Sequence, residues 1–131
     1  MNGSAARTLS APLALEPAAG VVGGRALLDG IARGEPLPPG QVAVVTCDGV
    51  LGLACARALH ARGLEVTLVC SGPAPEGTGD AAHGADGFSV EPGARPAEVI
   101  RRGGRARWLR LTRGGVDDAF VLPADLVVVD G

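Results

Sequence analysis

Six residues, CDGVLG from Cys47 to Gly52, join an apolar run to a segment of helical periodicity. In a dinucleotide-binding turn, one glycine permits the tight bend, a second lets the backbone approach pyrophosphate, and a third lets the helix pack on the strand. The second and third are present as Gly49 and Gly52, whereas Cys47 occupies the first position. The positive end of the helix dipole favours an anion at such a turn. The spacing therefore indicates a phosphate-binding turn, with Val50 in the first turn of its helix.

Two neighbouring positions leave alternatives open. Asp48 either caps the N-terminus of the helix or places a negative charge where a phosphate would lie. The carboxylate that binds a ribose 2′-hydroxyl is expected roughly 20 residues beyond the glycines, and that region reads Val69, Cys70 and Ser71. The hydroxyl of Ser71 is able to donate a hydrogen bond to a 2′-phosphate. NAD, NADP, ADP and FAD all remain candidate ligands.

No side chain stands out as a catalytic group or metal ligand. Cys47, Cys55 and Cys70 are scattered without C-x-x-C spacing, which favours buried thiols over a disulfide framework, a zinc site or an iron–sulfur site. His60 falls near a predicted helix end and His83 in a polar segment, so surface or capping roles are expected for both. We therefore predict no catalytic residue and no metal site in this chain.

The composition limits the classes of partner. A chain of 131 residues is the size of one domain, and its net charge of −2 with almost no aromatic residues argues against nucleic acid. The longest apolar run, near Leu122 to Val129, is interrupted by Pro123 and is far shorter than the ~20 residues of a membrane span. The N-terminus lacks the long apolar region of a secretory signal. We expect a cytoplasmic protein without a membrane partner.

The elements that must position the turn follow from the periodicity. Residues 1–20 are predicted to form an extended arm and residues 21–131 a single nucleotide-binding-type domain. Helical spacing predicts helices over Gly24–Arg33 and Val50–Arg62, and β-rich apolar runs predict strands over Gln41–Thr46 and Leu64–Cys70. Strand, helix and strand of this length form a parallel βαβ unit.

The second half of the domain is predicted to contain a long loop, one helix and three strands instead of a further βαβ unit. Residues 71–95 are rich in Gly, Pro and Ala and are predicted to form a long loop. Pro96 suits the first position of a helix over residues 96–104. Residues 106–113, 118–123 and 124–131 are predicted strands, the last one interior because it is apolar throughout. The fold class predicted is α/β: a three-layer Rossmann-like domain with a parallel βαβ core and a small antiparallel β-meander.

Arginines are concentrated between Arg101 and Arg113, around the single tryptophan, Trp108. They either form a solvated strand face or meet an acidic partner or a ligand phosphate. Trp108 is either a core residue or an interface anchor.

The order of these blocks resembles the pyridine-nucleotide or ADP-binding domain of the 2,4-dienoyl-CoA reductase, trimethylamine dehydrogenase and histamine dehydrogenase family. The matching features are a helix ending at Gly34, a glycine before the first strand at Gly40, the D-G turn at Asp48 and Gly49, the block Leu59 to Val69, and the strand Ala124 to Val128. The resemblance extends from Val21 onward. It implies an Old Yellow Enzyme-related flavoprotein, of which this chain is a detached domain.

The resemblance implies a function for that domain. It would be the small subunit of a flavin-dependent oxidoreductase, with NAD(P)H, ADP or FAD at the Gly49 turn. FMN and an iron–sulfur cluster, if used, would belong to a larger flavoprotein subunit in a hetero-oligomer. The alternative is a non-catalytic structural subunit with a degenerate nucleotide site. The family's catalytic residues have no counterparts in this sequence.

Overall fold

The computed structural model describes residues 15–37, 40–47, 49–73, 88–113 and 115–130, so that Asp48 and His83 lie outside the described residues. A short 3₁₀ helix, Pro17–Ala19, precedes strand β1 (Val21–Gly23) and helix α1 (Gly24–Ala32). Strand β2 (Val42–Val45), helix α2 (Gly49–Ala61) and strand β3 (Glu65–Cys70) follow. The remaining elements are strands β4 (Ser89–Pro92), β5 (Ala94–Arg102), β6 (Arg105–Arg113), β7 (Gly115–Pro123) and β8 (Leu126–Val129).

The strands form two sheets. Five of them pair in parallel in the order β1-β8-β2-β3-β4, and β5, β6 and β7 form an antiparallel meander. The pairing of β2 with β3 confirms the predicted βαβ unit, and Gly63, at φ +89°, ends its helix as predicted. Strand β8 lies between β1 and β2, which confirms that the most apolar strand is interior.

Alternation along β8 explains the layering. Leu126 and Val128 belong to the core beneath the two helices, whereas Val127 and Val129 belong to the core beneath the meander. Because successive side chains of a strand point to opposite faces, one apolar strand supplies both cores. The fold is therefore α/β and Rossmann-like, with a helical layer, a parallel sheet and an antiparallel meander.

The predicted helix over residues 96–104 is wrong, because these residues form most of β5. Val99 packs into the core beneath the meander while Ile100 is partly exposed on the other face. A register shift between Pro96 and Glu98 accommodates the proline, which has no N–H to donate to the ladder. Pairing with β6 therefore overrides a favourable helix start.

The predicted loop over residues 71–95 also contains regular structure. Its last third includes β4, which pairs in parallel with β3 from Thr67↔Ser89 to Cys70↔Pro92. Residues 74–87 lie outside the described residues. The short strand SVEP was missed because its proline and two polar residues resemble a loop, whereas a neighbouring strand end supplies its hydrogen bonds.

The described part of the predicted N-terminal arm is folded onto the domain. Pro17–Ala19 form the 3₁₀ helix, and the backbone of Glu16 exchanges hydrogen bonds with Val21 at 2.8 and 3.0 Å. The carboxylate of Glu16 also pairs with Arg101 on β5. Residues 15–20 are therefore part of the domain rather than an extended arm, and residues 1–14 lie outside the described residues.

Asp125 holds the amino ends of β8 and β2 together. Its carboxylate accepts hydrogen bonds from the backbone N–H groups of Gln41 at 3.0 Å and Val42 at 2.9 Å. Replacing Asp125 with alanine is expected to lower the free energy of unfolding by about 2 kcal/mol, since partly buried donors lose a charged acceptor. Urea denaturation measures the effect, and Asp118→Ala at an exposed site should change stability by less than about 0.5 kcal/mol. Equal values for the two variants would contradict the assigned role.

Within the described residues, no helix combines the length and hydrophobicity needed to cross a lipid bilayer.

Candidate functional site

The predicted turn lies at the carboxyl edge of the parallel sheet. The chain leaves β2, passes through α2 and returns as β3 on one side, while β8 pairs with β2 on the other side. The strand order reverses between β2 and β8, because β3 and β4 lie on one side of this pair and β1 on the other. In open α/β sheets, ligands bind in the crevice at this reversal.

Gly49 begins α2 with a left-handed backbone, at φ +68°. This region favours glycine, because an L side chain there approaches its own backbone too closely. A Cβ built on Gly49 would meet no atom within 4 Å, so there is open space beside this residue. Val50, the next residue, is 85% exposed. The first turn of α2 is therefore exposed at Val50.

Gly52 has the opposite environment. A Cβ at this position would lie 1.9 Å from the carbonyl oxygen of Cys47 and 3.2 Å from Cδ1 of Leu68. Helix α2 therefore packs against the end of β2 at the closest approach that a backbone allows. Thr46 fixes that strand end, since its N–H and its hydroxyl both donate to the carbonyl of Val128, at 2.8 and 2.9 Å. The turn is therefore tightly packed at Gly52 and open at Gly49.

Two buried thiols lie beneath the turn. The thiol of Cys55 donates to the carbonyl of Gly24 at 3.6 Å and is hydrogen-bonded to Cys47. This hydrogen bond, burial, and the nearby carboxylate of Asp130 all raise the pKa of the Cys47 thiol, so that Cys47 is a neutral thiol at neutral pH. The first position of the motif is therefore a small, uncharged side chain packed against two helices.

Of the remaining predicted site residues, one is described at the same edge. Ser71 follows β3 and is exposed. Asp48 lies outside the described residues. The prediction missed Gly24, at the N-terminus of α1, and Asp130, immediately after β8. An acidic residue directly after a fully apolar strand was the available signal for Asp130.

Other candidate residues lie away from the turn or have structural contacts. The ring of His60, in the last turn of α2, contacts that of Phe88 edge-on, with centroids 6.1 Å apart. Among the described residues, no group of three or more His, Cys, Asp or Glu side chains is arranged to hold a metal ion.

The arginine-rich segment divides into two groups. Three arginines form ion pairs across the surface: Arg101 with Glu16, Arg110 with Glu98, and Arg113 with Glu91. Three others line a cavity of about 310 Å³ together with Gly40 and Asp125, namely Arg102, Arg105 and Arg107. This cavity lies at the amino edge of the sheet, opposite the Gly49 turn. Trp108 is 41% exposed, which excludes a fully buried core position for it.

No protein-family model and no curated protein matches the chain. Among solved structures, the chain is similar to the ferredoxin reductase for the CYP199A2 system from Rhodopseudomonas palustris, with 28% sequence identity and a TM-score of 0.53. That similarity covers 68% of this chain and 23% of the reductase. The thioredoxin reductase of T. acidophilum shares the fold at 15% identity and a TM-score of 0.63, over 86% of this chain and 36% of the reductase. The chain thus spans well under half the length of either reductase.

Proposed function

We propose that this chain provides the dinucleotide-binding domain of a flavin-dependent oxidoreductase, with the Gly49 turn as the pyrophosphate site. The observation that carries the proposal is the geometry of that turn. A glycine with a positive φ and open space above it begins a helix beside the strand reversal of a Rossmann-like sheet. The likeness to two reductases supports oxidoreductase chemistry as the context.

The residues of the turn suit a bound pyrophosphate. The N–H groups of Gly49 and Val50 would donate to its oxygens, aided by the positive end of the α2 dipole. Gly52 would keep α2 close enough to β2 for those groups to lie at the mouth of the crevice. When bound, a nicotinamide or flavin dinucleotide supplies the hydride or electron chemistry, and this chain binds and orients it.

Ser71 provides a test of the choice of nucleotide. It directly follows β3, at a position where a carboxylate would accept hydrogen bonds from the ribose hydroxyls of NADH and repel the 2′-phosphate of NADPH. Ser71→Asp is therefore expected to shift the ratio of NADH to NADPH affinity by about tenfold or more towards NADH, which corresponds to about 1.4 kcal/mol. Isothermal titration with both nucleotides measures the ratio. Asp118→Asn on the meander is the control, and an unchanged ratio in Ser71→Asp would remove Ser71 from the site.

We also propose that the domain works with a larger flavoprotein subunit, which carries FMN or an iron–sulfur cluster if the complex uses them. This finer assignment rests on the sequence resemblance to the 2,4-dienoyl-CoA reductase, trimethylamine dehydrogenase and histamine dehydrogenase family. Native mass spectrometry of the protein purified with its endogenous partners tests it. The expected result is a complex with a larger, flavin-bearing chain, and a chain that always purifies alone would contradict it.

One observation favours a second function, that of a structural subunit with a degenerate nucleotide site. The described end of β3 offers Val69, Cys70 and Ser71 where a ribose-binding carboxylate is expected. A flavoprotein complex that contains this chain but binds no nucleotide at the Gly49 turn would identify the structural role.

A further inference from the structure

We propose that Cys47 and Cys55 are a modification site, at which a hydroperoxide closes an intramolecular disulfide that regulates the dinucleotide turn. The regulatory part rests on the proposed function, whereas the disulfide itself depends only on the two thiols.

The two sulfur atoms meet at one point in the core. A Cβ built on Gly24 would lie 3.1 Å from Sγ of Cys47 and 3.2 Å from Sγ of Cys55. The glycine therefore leaves the space in which both sulfurs are accommodated. The two thiols also shift each other's pKa in opposite directions through a side-chain hydrogen bond, which raises that of Cys47 and lowers that of Cys55. A disulfide needs an S–S distance of about 2.05 Å, so the two side chains must close on each other from the space that they share beside Gly24.

Cys47 and Cys55 lie on either side of the Gly49 turn, so a bond between them would change the backbone of that turn. Cys47 is the last described residue before Gly49, and its carbonyl already touches Gly52. Cys55 lies on the same helix as Gly52, three residues further on. A bond of about 2.05 Å between the sulfurs would pull the turn towards the second turn of α2. Because the Gly52 contact leaves no free space, the backbone at Gly49 and Val50 must move.

The oxidation balances with hydrogen peroxide as the oxidant. The sulfur of Cys55, whose pKa is lowered by the hydrogen bond with Cys47, attacks a peroxide oxygen as the thiolate. The O–O bond breaks and the released hydroxide takes up the thiol proton, which gives a sulfenic acid and one water molecule. The sulfur of the second thiol then attacks the sulfenic sulfur, forming the S–S bond and releasing a second water molecule. Two thiols are oxidised by two electrons, and the peroxide is reduced to two waters.

Cys70 gives an internal comparison. It is buried in the same core, at the end of β3, and is the third cysteine of the chain. If burial in this core were sufficient for oxidation, Cys70 would react as readily as the pair. The proposal instead predicts that Cys70 stays reduced while the other two thiols disappear together.

The test is a thiol count after oxidation of the reduced full chain with hydrogen peroxide, followed by alkylation with N-ethylmaleimide under denaturing conditions and mass spectrometry. The expected result is one alkylated thiol, mapped to Cys70, and a Cys47–Cys55 peptide lighter by two hydrogens. Cys70→Ser should form the same bond, whereas Cys55→Ser should not. Three alkylated thiols, or a bond that includes Cys70, would overturn the disulfide.

Two further readouts separate this proposal from the proposed function. Titration with NADPH should show about tenfold weaker binding after oxidation, with recovery on reduction by dithiothreitol and no change in Cys55→Ser. Unchanged affinity in the oxidised chain would overturn the regulation. If the reduced chain binds no dinucleotide, the proposed function fails. Amide hydrogen exchange over residues 45–53 then decides the structural effect, since the proposal requires changed exchange in the oxidised chain and identical exchange would overturn it.

Discussion

Replacing Gly52 with alanine is expected to lower the free energy of unfolding by about 3 kcal/mol or more. The new Cβ would lie 1.9 Å from the backbone carbonyl oxygen of Cys47, so helix α2 must move away from β2. An alanine in a helix is intrinsically favoured over glycine by about 1 kcal/mol. Overpacking against backbone costs about 1–3 kcal/mol and sometimes more, and here no flexible side chain can yield, so the steric cost outweighs the gain in propensity.

Chemical denaturation of the purified variant measures this loss. Gly72→Ala is the matched control, because a Cβ on Gly72 meets nothing within 4 Å and its φ is not positive. We expect the control to differ from the parent chain by less than about 0.5 kcal/mol. A Gly52→Ala variant as stable as the control would show that α2 does not approach β2 as closely as described.

Replacing Gly49 with valine is expected to weaken dinucleotide binding by about a hundredfold or more, equivalent to about 2.7 kcal/mol. The β-branched side chain would occupy the open space above the turn and keep a pyrophosphate away from the N–H groups of Gly49 and Val50. The left-handed backbone at φ +68° also becomes strained, at a cost to stability of about 1–3 kcal/mol. Binding and stability must therefore be measured separately.

Gly34→Val separates the two effects. Gly34 has a similar φ of +76° and open space around a built Cβ, but it follows the C-terminus of α1, away from the carboxyl edge. We expect both variants to lose comparable stability and only Gly49→Val to lose NADPH affinity in isothermal titration. An equal loss of NADPH affinity in both variants, or no loss in Gly49→Val, would contradict the assignment of the Gly49 turn as the pyrophosphate site.

The sequence was sufficient to predict the helices and strands that follow from local apolar periodicity. The strand over residues 42–45, the helix that ends at Ala61 and the strand after Gly63 follow from apolar periodicity and a glycine that permits a left-handed backbone. The spacing likewise predicted that Gly52 lets the helix pack on the strand, and a Cβ there would meet the carbonyl oxygen of Cys47. The role of Gly49 towards a pyrophosphate stays a prediction.

Elements that depend on distant partners were not predictable in the same way. Residues 94–102 have a favourable helix start at Pro96, yet pairing with Arg105–Arg113 makes them a strand. Pairing with β6 stabilises the strand more than a favourable N-terminal residue stabilises a helix. The sequence of the segment itself does not indicate which strand it will pair with. The strand over residues 89–92 was missed for the same reason, since its hydrogen-bond partners lie at the end of β3.

The surroundings of the turn depend on the tertiary fold as well. Cys47 and Cys55 appeared as scattered thiols in the sequence, but the close packing of Gly24 and Gly52 brings their sulfurs together. Asp130 joins them because β8 ends beside β2. None of these contacts follows from spacing along the chain, since each requires knowledge of the strand order.

Titration of the ¹⁵N-labelled chain with NADPH and FAD, followed by two-dimensional NMR, tests the central proposal most directly. Binding of pyrophosphate at the N-terminus of α2 predicts that the largest shifts occur at the amide signals of Gly49, Val50 and Leu51, with smaller shifts at Ser71. Spectra that do not change at saturating nucleotide would contradict the proposed function. Shifts confined to the arginine-lined cavity at the amino edge would contradict the location of the site.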